Sequence, residues 1–184
     1  FDVAKAMDEN PALAGGKPLQ SKKTFTGRIP AYPTGCAICE VEIDPDTGAI
    51  IVPRYGSIDD AGQAINPLIL HGQVHGGIVQ SVGQALLEEA VYDEQGQLVT
   101  GELTDYAIPR ASDVPWMETD HTVTPSPHHP IGAKGVAESP HVGSIPTFTS
   151  AVVDAFSHLG VTHLNMPHNA FRVWKELQKH GVAL

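Results

Sequence analysis

Among the titratable residues, Glu138 has the setting best suited to proton transfer. It stands in the run Lys134-Gly-Val-Ala-Glu-Ser-Pro140, a Gly-containing approach followed by a proline and, within a few residues, by the start of a predicted helix. A carboxylate held by such a loop and kept from water is pushed towards a higher pKa, because desolvation penalises the charged form, and so towards the range useful for proton abstraction near neutral pH. A plainer role fits the same residues: a Glu that pairs with Lys134 or complements the positive end of the next helix.

Ten histidines raise the question of a metal. His71 and His75 share a helix face at i, i+4, a spacing that some zinc sites use, but their run is H-G-Q-V-H, without the Glu that a zinc-protease helix carries. Two packed or exposed imidazoles are the better reading. His128 and His129 are adjacent and flanked by prolines, which directs their side chains apart and leaves them as loop residues that line a site at most. Cys36 and Cys39 are the only cysteines, so neither a four-thiolate zinc site nor a disulfide framework can be built from this chain. Their C-x-x-C lies in a predicted strand, with Ala37, Cys39, Val41 and Ile43 in phase. Odd spacing then sends the two sulfurs to opposite faces, which argues against a redox pair.

The elements that must position these residues are a mixture of hairpins and helices. From Asn10 to Pro33 the sequence is rich in Gly, Pro, Lys, Ser and Thr without an apolar period, the pattern of a surface connection. Ala37–Ile43 and Ala49–Tyr55 read as strands joined by the turn Asp44-Pro-Asp-Thr-Gly48. Asn66-Pro67 opens a helix with an N-cap and a first-turn proline, followed by the stripe Leu70, Val74, Ile78, Val82 and Leu86. Gly72, Gly76, Gly77 and Gly83 lie in the same helix, each weakening it by ~1 kcal/mol relative to Ala. Close packing against another backbone and close approach of a bulky ligand explain them equally well.

A second hairpin is expected over Tyr92–Leu103, then a long Pro- and Gly-punctuated loop from Thr122 to Pro146. An amphipathic helix carrying Ile145, Phe148, Val152, Ala155 and Leu159 stops at Gly160, and a short strand spans Val161–Met166. The last helix, His168 to His180, is expected to bury Phe171, Trp174 and Leu177. Without regular βα alternation the fold class is α+β.

Composition bounds the partners. Of 184 residues, 41% are apolar, enough for a core, and 21 acidic against 11 basic residues give a net charge of -10. That charge disfavours nucleic acid or an anionic membrane as main partner. No apolar run reaches the about 20 residues of a membrane span and no leader pattern opens the chain, so a soluble, cytoplasmic protein is expected. Phe1 in place of an initiator Met suggests a fragment or processed piece.

Three stretches taken together carry a resemblance: G-Q-V-H-G-G-I-V-Q-S-V-G-Q-A-L-L-E-E, P-S-P-H-H-P-I-G-A-K-G-V-A-E-S-P-H-V-G and L-N-M-P-H-N-A-F-R-V-W-K. In order and spacing, from about Tyr32 to the C-terminus, they resemble the large subunit of the xanthine oxidase family of molybdenum hydroxylases. The loop with Glu138 looks most like the carbon monoxide dehydrogenase branch. The resemblance implies a molybdopterin-binding domain, with residues 1–33 a linker or the end of a preceding segment and residues 34–184 the C-terminal part of that domain.

It further implies a molybdenum-molybdopterin cytosine dinucleotide, shared with an upstream part of the subunit. Glu138 takes the place of the family's proton-accepting glutamate beside the metal. Gln73 takes that of a glutamine hydrogen-bonded to the pterin system. Lys134, Gly135, Val136 and Ala137 fall in the loop against the cofactor, and no residue here takes the place of a metal ligand. Copper on an upstream cysteine, FAD on a medium subunit and 2Fe-2S clusters on a small subunit, assembled as a dimer of heterotrimers, are also implied, as is a cytoplasmic location with peripheral attachment to the inner face of the membrane. The departure is Ala137, where many relatives have Gly. Aldehyde or N-heterocycle hydroxylation in the same family, and a non-catalytic docking module of the large subunit, are the other readings.

Overall fold

The computed structural model describes residues 2–15, 22, 24, 30–128 and 130–182. It divides into two compact units, Phe1–Pro30 and Ala31–Leu184. In the first, helix α1 (Asp2–Glu9) is followed by a 3-10 turn over Pro11–Ala14, closed by Gly15 in the left-handed conformation. No residue of α1 is buried. Half of the expected connection from Asn10 to Pro33 lies outside the described residues, and its first part is this helical turn.

The second unit is built on a three-stranded sheet in the order β1 (Thr34–Ile43), β2 (Ile50–Asp60), β3 (Met117–Thr122), with β1 antiparallel and β3 parallel to β2. The β1–β2 turn forms for the reason its composition suggests. Asp44 accepts from the Asp46 N–H at 2.9 Å and the Thr47 hydroxyl at 2.7 Å, and Gly48 supplies a φ of +71°. Ala37, Cys39, Val41 and Ile43 face the core together while Cys36 is exposed, so the two sulfurs do lie on opposite faces.

Helix α2 (Pro67–Val82) starts where Asn66 accepts from the backbone N–H groups of Leu68 and Ile69, and it runs into a π turn over Gly83–Leu87. Its whole predicted stripe, from Leu70 to Leu86, is buried. Helix α3 (Ser139–Ala155) brings Phe148 and Val152 against that stripe and over Tyr55, whose ring stacks on Phe148 at 5.0 Å between centroids. Phe156 and, from helix α4 (Ala170–Lys179), Val173 and Leu177 complete the core. Each such side chain contributes about 1.5–3 kcal/mol by leaving water.

Several expectations are corrected. The second hairpin is reduced to one bridge, Tyr92 to Leu98, around the Asp93–Gly96 turn. Strand β3 replaces part of what had no assigned structure, and α3 begins at Ser139, seven residues before Pro146, which it absorbs. Val161–Met166 is irregular. In α4, Phe171 is exposed and Trp174 half-buried, with Val173 taking the inward position. The cause is tertiary: the backbone of α4 at Ala170 and Trp174 packs against Gly48, where no Cβ would fit. Phe171 instead lies under the Lys175 ammonium, 4.2 Å from the ring centre.

Candidate functional site

The segment that carries Glu138 is pinned to the end of β2. Asp60, 8% exposed, places one carboxylate oxygen 2.9 Å from the Gly62 N–H, 3.1 Å from the Thr124 N–H and 3.3 Å from the Lys134 ammonium. These bonds, Thr124 foremost, hold its carboxyl well below the usual carboxylate range. Backbone bonds from Lys134 to Ala61 and from Gln63 and Ser126 to Gly132 tie the loop further. Gly62 must be glycine, because its φ is +64° and a Cβ there would strike the Gly132 carbonyl.

Lys134 is therefore committed to Asp60, with a side chain 11% exposed, and does not pair with Glu138. Val136 packs against the core, while Gly135, Ala137 and Glu138 are exposed. Glu138 sits at the residue before α3, makes no capping hydrogen bond and has no ion-pair partner among the described residues. Of its two plainer roles, pairing with Lys134 is not adopted, whereas its place at the N-cap of α3 does set its charge at the positive end of that helix. Its exposure also means that the expected shelter from water is not provided within these residues.

Gln73 is exposed on α2, and its relation to Glu138 follows from one contact. Gly77 touches the start of α3, where an added Cβ would stand 3.0 Å from both the His141 N and the Pro140 Cβ. Gln73 is one helical turn from that contact along α2, and Glu138, at the N-cap of the other helix, is two residues from it. The contact is reinforced by the buried Ser81 hydroxyl, 2.9 Å from the Gly77 carbonyl and 3.0 Å from His141 Nδ1.

The four helix glycines thus separate. Gly77 and Gly83 are packing glycines, the second lying under Glu88 and Pro109, whereas Gly72 and Gly76 face open space. Gln73 lies between these open glycines, and Ile65, Leu68 and Ile69 at the start of the helix are 74%, 82% and 62% exposed. Bare backbone, an exposed amide and apolar side chains suit a large ligand that approaches the helix closely, so the residues fit a pterin cofactor.

His71 and His75 are packed imidazoles. Thr119 Oγ1 lies 3.0 Å from His75 Nε2 and 3.4 Å from His71 Nδ1, and the His121 ring meets His71 edge-on at 5.6 Å. Among the described residues no group of His, Cys, Asp or Glu is arranged to hold a metal. His128 is exposed and His129 lies outside the described residues.

Sequence reasoning missed Asp59 and Asp60. Asp59 is 4% exposed, accepts from the Ser57 hydroxyl at 3.2 Å and the Ser139 hydroxyl at 3.5 Å, and is pushed up by burial. Nothing in Ile58-Asp-Asp-Ala61 marks these carboxylates as buried, since consecutive acids usually signal a solvated edge.

A family model described as the molybdopterin cofactor-binding domain matches residues 2–115, more than half of the chain, and the chain belongs to that family. The Glu138 segment lies beyond that match. The chain is similar to the large chain of carbon monoxide dehydrogenase from Hydrogenophaga pseudoflava, with 58% identity over 153 residues covering 83% of this chain and 19% of that protein. The corresponding large chain from Afipia carboxidovorans is 49% identical, with coverage of 82% and 19%. A crystal structure of the Cu,Mo-CO dehydrogenase in its carbon monoxide reduced state superposes with a TM-score of 0.80 at 49% identity, again covering 82% of this chain and 19% of that one. The chain spans about a fifth of the length of the relatives it matches. No helix of the described residues is long and apolar enough to cross a membrane.

Proposed function

We propose that these residues form one wall of the active site in the large subunit of a carbon monoxide dehydrogenase, with Glu138 as the general base. Residues 34–184 are then the C-terminal part of the molybdenum-cofactor-binding domain, and residues 1–33 a linker or the end of the preceding segment. The observation that carries this reading is the contact of Gly77 with Pro140 and His141, which sets the exposed Gln73 and the untethered Glu138 on either side of one helix junction. The identity of 58% to a carbon monoxide dehydrogenase large chain supports the choice of substrate.

In the net reaction carbon monoxide and water give carbon dioxide, two protons and two electrons. The molybdenum cofactor, as a cytosine dinucleotide with copper on a cysteine outside these residues, supplies the electron acceptor and the oxygen-transfer chemistry. Glu138 takes up a proton on its carboxylate as the substrate is oxidised and releases it to solvent afterwards. Gln73 would hold the pterin system through its side-chain amide, Gly72 and Gly76 would let it approach the helix, and the exposed backbone of Gly135 and Ala137 would face the same ligand. Lys134 and Val136 hold the loop from beneath. Small and medium partner subunits carrying 2Fe-2S clusters and FAD would take up the electrons, in a dimer of heterotrimers located in the cytoplasm at the inner face of the membrane.

The test is to assay the complete enzyme with carbon monoxide and a dye acceptor, beside aldehydes and N-heterocycles, and to measure copper. Carbon monoxide oxidation with stoichiometric copper is expected. Aldehyde or heterocycle oxidation without copper would move the enzyme to another branch of the family.

A further inference from the structure

A general base has to be held in place, yet Glu138 has no hydrogen bond or ion pair of its own among the described side chains. The two residues that end β2 supply the restraint. Asp60 takes the Lys134 ammonium at 3.3 Å, and Asp59 takes the Ser139 hydroxyl at 3.5 Å. Lys134 and Ser139 stand immediately on either side of the stretch from Gly135 to Glu138. Consecutive carboxylates therefore grip that segment at both ends.

We propose that Asp59 and Asp60 are positioning residues for Glu138, fixing the carboxylate through Ser139 on one side and Lys134 on the other. The proposal rests on the reading of Glu138 as the base. The next residue, Pro140, is buried against Gly77, whereas Ser139 itself is half-buried. A cavity of about 210 Å3 lies against Asp59, Ser57, Ser139, Pro140 and Gly143, so the backbone at Ser139 has room to adjust on that side once its hydrogen bond is lost. Gly35 on β1 leaves space for the carboxyl, since a Cβ there would stand 2.9 Å from Asp59 Oδ1.

The two grips differ in kind. Asp60 is held ionised by its N–H donors and Lys134, and responds little to pH above the acid range. Asp59 has only hydroxyl donors. The titratable groups around it are Tyr55 and Asp60 on its own strand, Cys36 on β1, His121 in register on β3 and Glu138 ahead of α3, and none of them is a cation bonded to it. The Ser139 grip is the one that pH can loosen or tighten.

The experiment compares Asp59→Asn, Asp60→Asn, Ser139→Ala, Ser139→Thr and Glu138→Gln in the complete enzyme, reading kcat, KM, molybdenum content and the pH profile of kcat. Misplacing a catalytic group by about 1 Å can cost 10²-fold, so Asp59→Asn and Ser139→Ala are each expected to lower kcat at least tenfold. KM and molybdenum content should stay near wild type, Ser139→Thr should restore the rate, and the double Asp59→Asn, Ser139→Ala variant should be no worse than either single one. Asp60→Asn should lower kcat as well. Should it fail to fold, the Ser139 pair decides the matter. If Asp59→Asn and Ser139→Ala keep kcat within twofold of wild type while Glu138→Gln is inactive, the positioning role is wrong and the base stands. A kcat loss that merely tracks lost molybdenum overturns it as well. An active Glu138→Gln overturns the underlying reading instead.

Discussion

The Lys134 ammonium lies 3.3 Å from the Asp60 carboxylate, and both side chains are about nine-tenths withdrawn from solvent, 11% and 10% exposed. Breaking such a pair from the Lys side leaves a carboxylate without its counter-charge, although the Gly62 and Thr124 N–H groups still serve it. Lys134→Met is therefore expected to destabilise the fold by about 3 kcal/mol, the lower end of the range for removing one partner of a buried pair. Urea denaturation of the two proteins checks this, and a loss under about 1 kcal/mol would show the pair to be marginal.

The buried hydroxyls of Tyr55 and Ser144 are 2.6 Å apart, and Ser144 also donates to the Pro140 carbonyl at 2.5 Å. Tyr55→Phe should cost about 1 kcal/mol, as for a typical internal hydrogen bond, because Ser144 keeps its second partner. Burial pushes the Tyr55 hydroxyl up to about 12, and burial followed by the Glu40 charge pushes the Cys39 thiol up to about 12. Both groups fold in their neutral forms, so their contribution is complete below their ordinary values and is lost as pH rises towards 12. Stability should begin to fall above about pH 9, where an ordinary thiol titrates. Tyr55→Phe should flatten the later part of the decline.

Asp59 behaves in the same sense at lower pH. Burial raises its carboxyl, so the folded state prefers the protonated form, and stability is lost as pH rises from the ordinary carboxylate range through the raised folded value. Asp59→Asn removes this penalty. The variant should gain on wild type as pH is raised from about 4 to neutrality, as followed by thermal unfolding across that interval. A stability difference that does not change with pH would contradict the assignment.

Helix α2 shows how far the sequence can be read. Its cap at Asn66 and its stripe from Leu70 to Leu86 follow from local rules, because both the 3.6-residue period and the side-chain cap are encoded within a few residues. The β1–β2 hairpin is legible for the same reason, through Asp44 and Gly48. Strand β3 is not: of its inward residues Met117, Thr119 and His121 only Met117 packs on the apolar core, while the two polar ones meet His71 and His75 on α2. Nor is the inward face of α4, which the packing of Gly48 selects over the aromatic pattern of Phe171 and Trp174. At the site, the loop with Glu138 stands out in the sequence, whereas its anchorage on Asp59 and Asp60 depends on a parallel strand pairing and a long-range turn that no local signal announces.

The open and packed glycines of α2 give a test that separates folding from ligand binding. Gly72→Ala and Gly76→Ala meet nothing within 4 Å and should stabilise this chain by up to about 1 kcal/mol through helix propensity. Gly77→Ala should destabilise it, since the new methyl stands 3.0 Å from Pro140 and the His141 N. In the complete enzyme the first two should lose molybdenum cofactor, as measured by metal content, if the ligand approaches those positions. Unchanged metal content in both would leave the bare face without a function.

The central claim is that Glu138 accepts the proton, and Glu138→Gln in the complete enzyme tests it most directly. The amide keeps the shape of the side chain but cannot take up a proton, so only the chemistry is removed. Because Glu138 is exposed and makes no tethering bond within these residues, the substitution should leave the fold and the molybdenum content intact. Turnover measured alongside molybdenum content should fall by about 10²-fold or more, in line with the loss of a general base. Retention of activity within tenfold of wild type, at equal molybdenum content, would contradict the account.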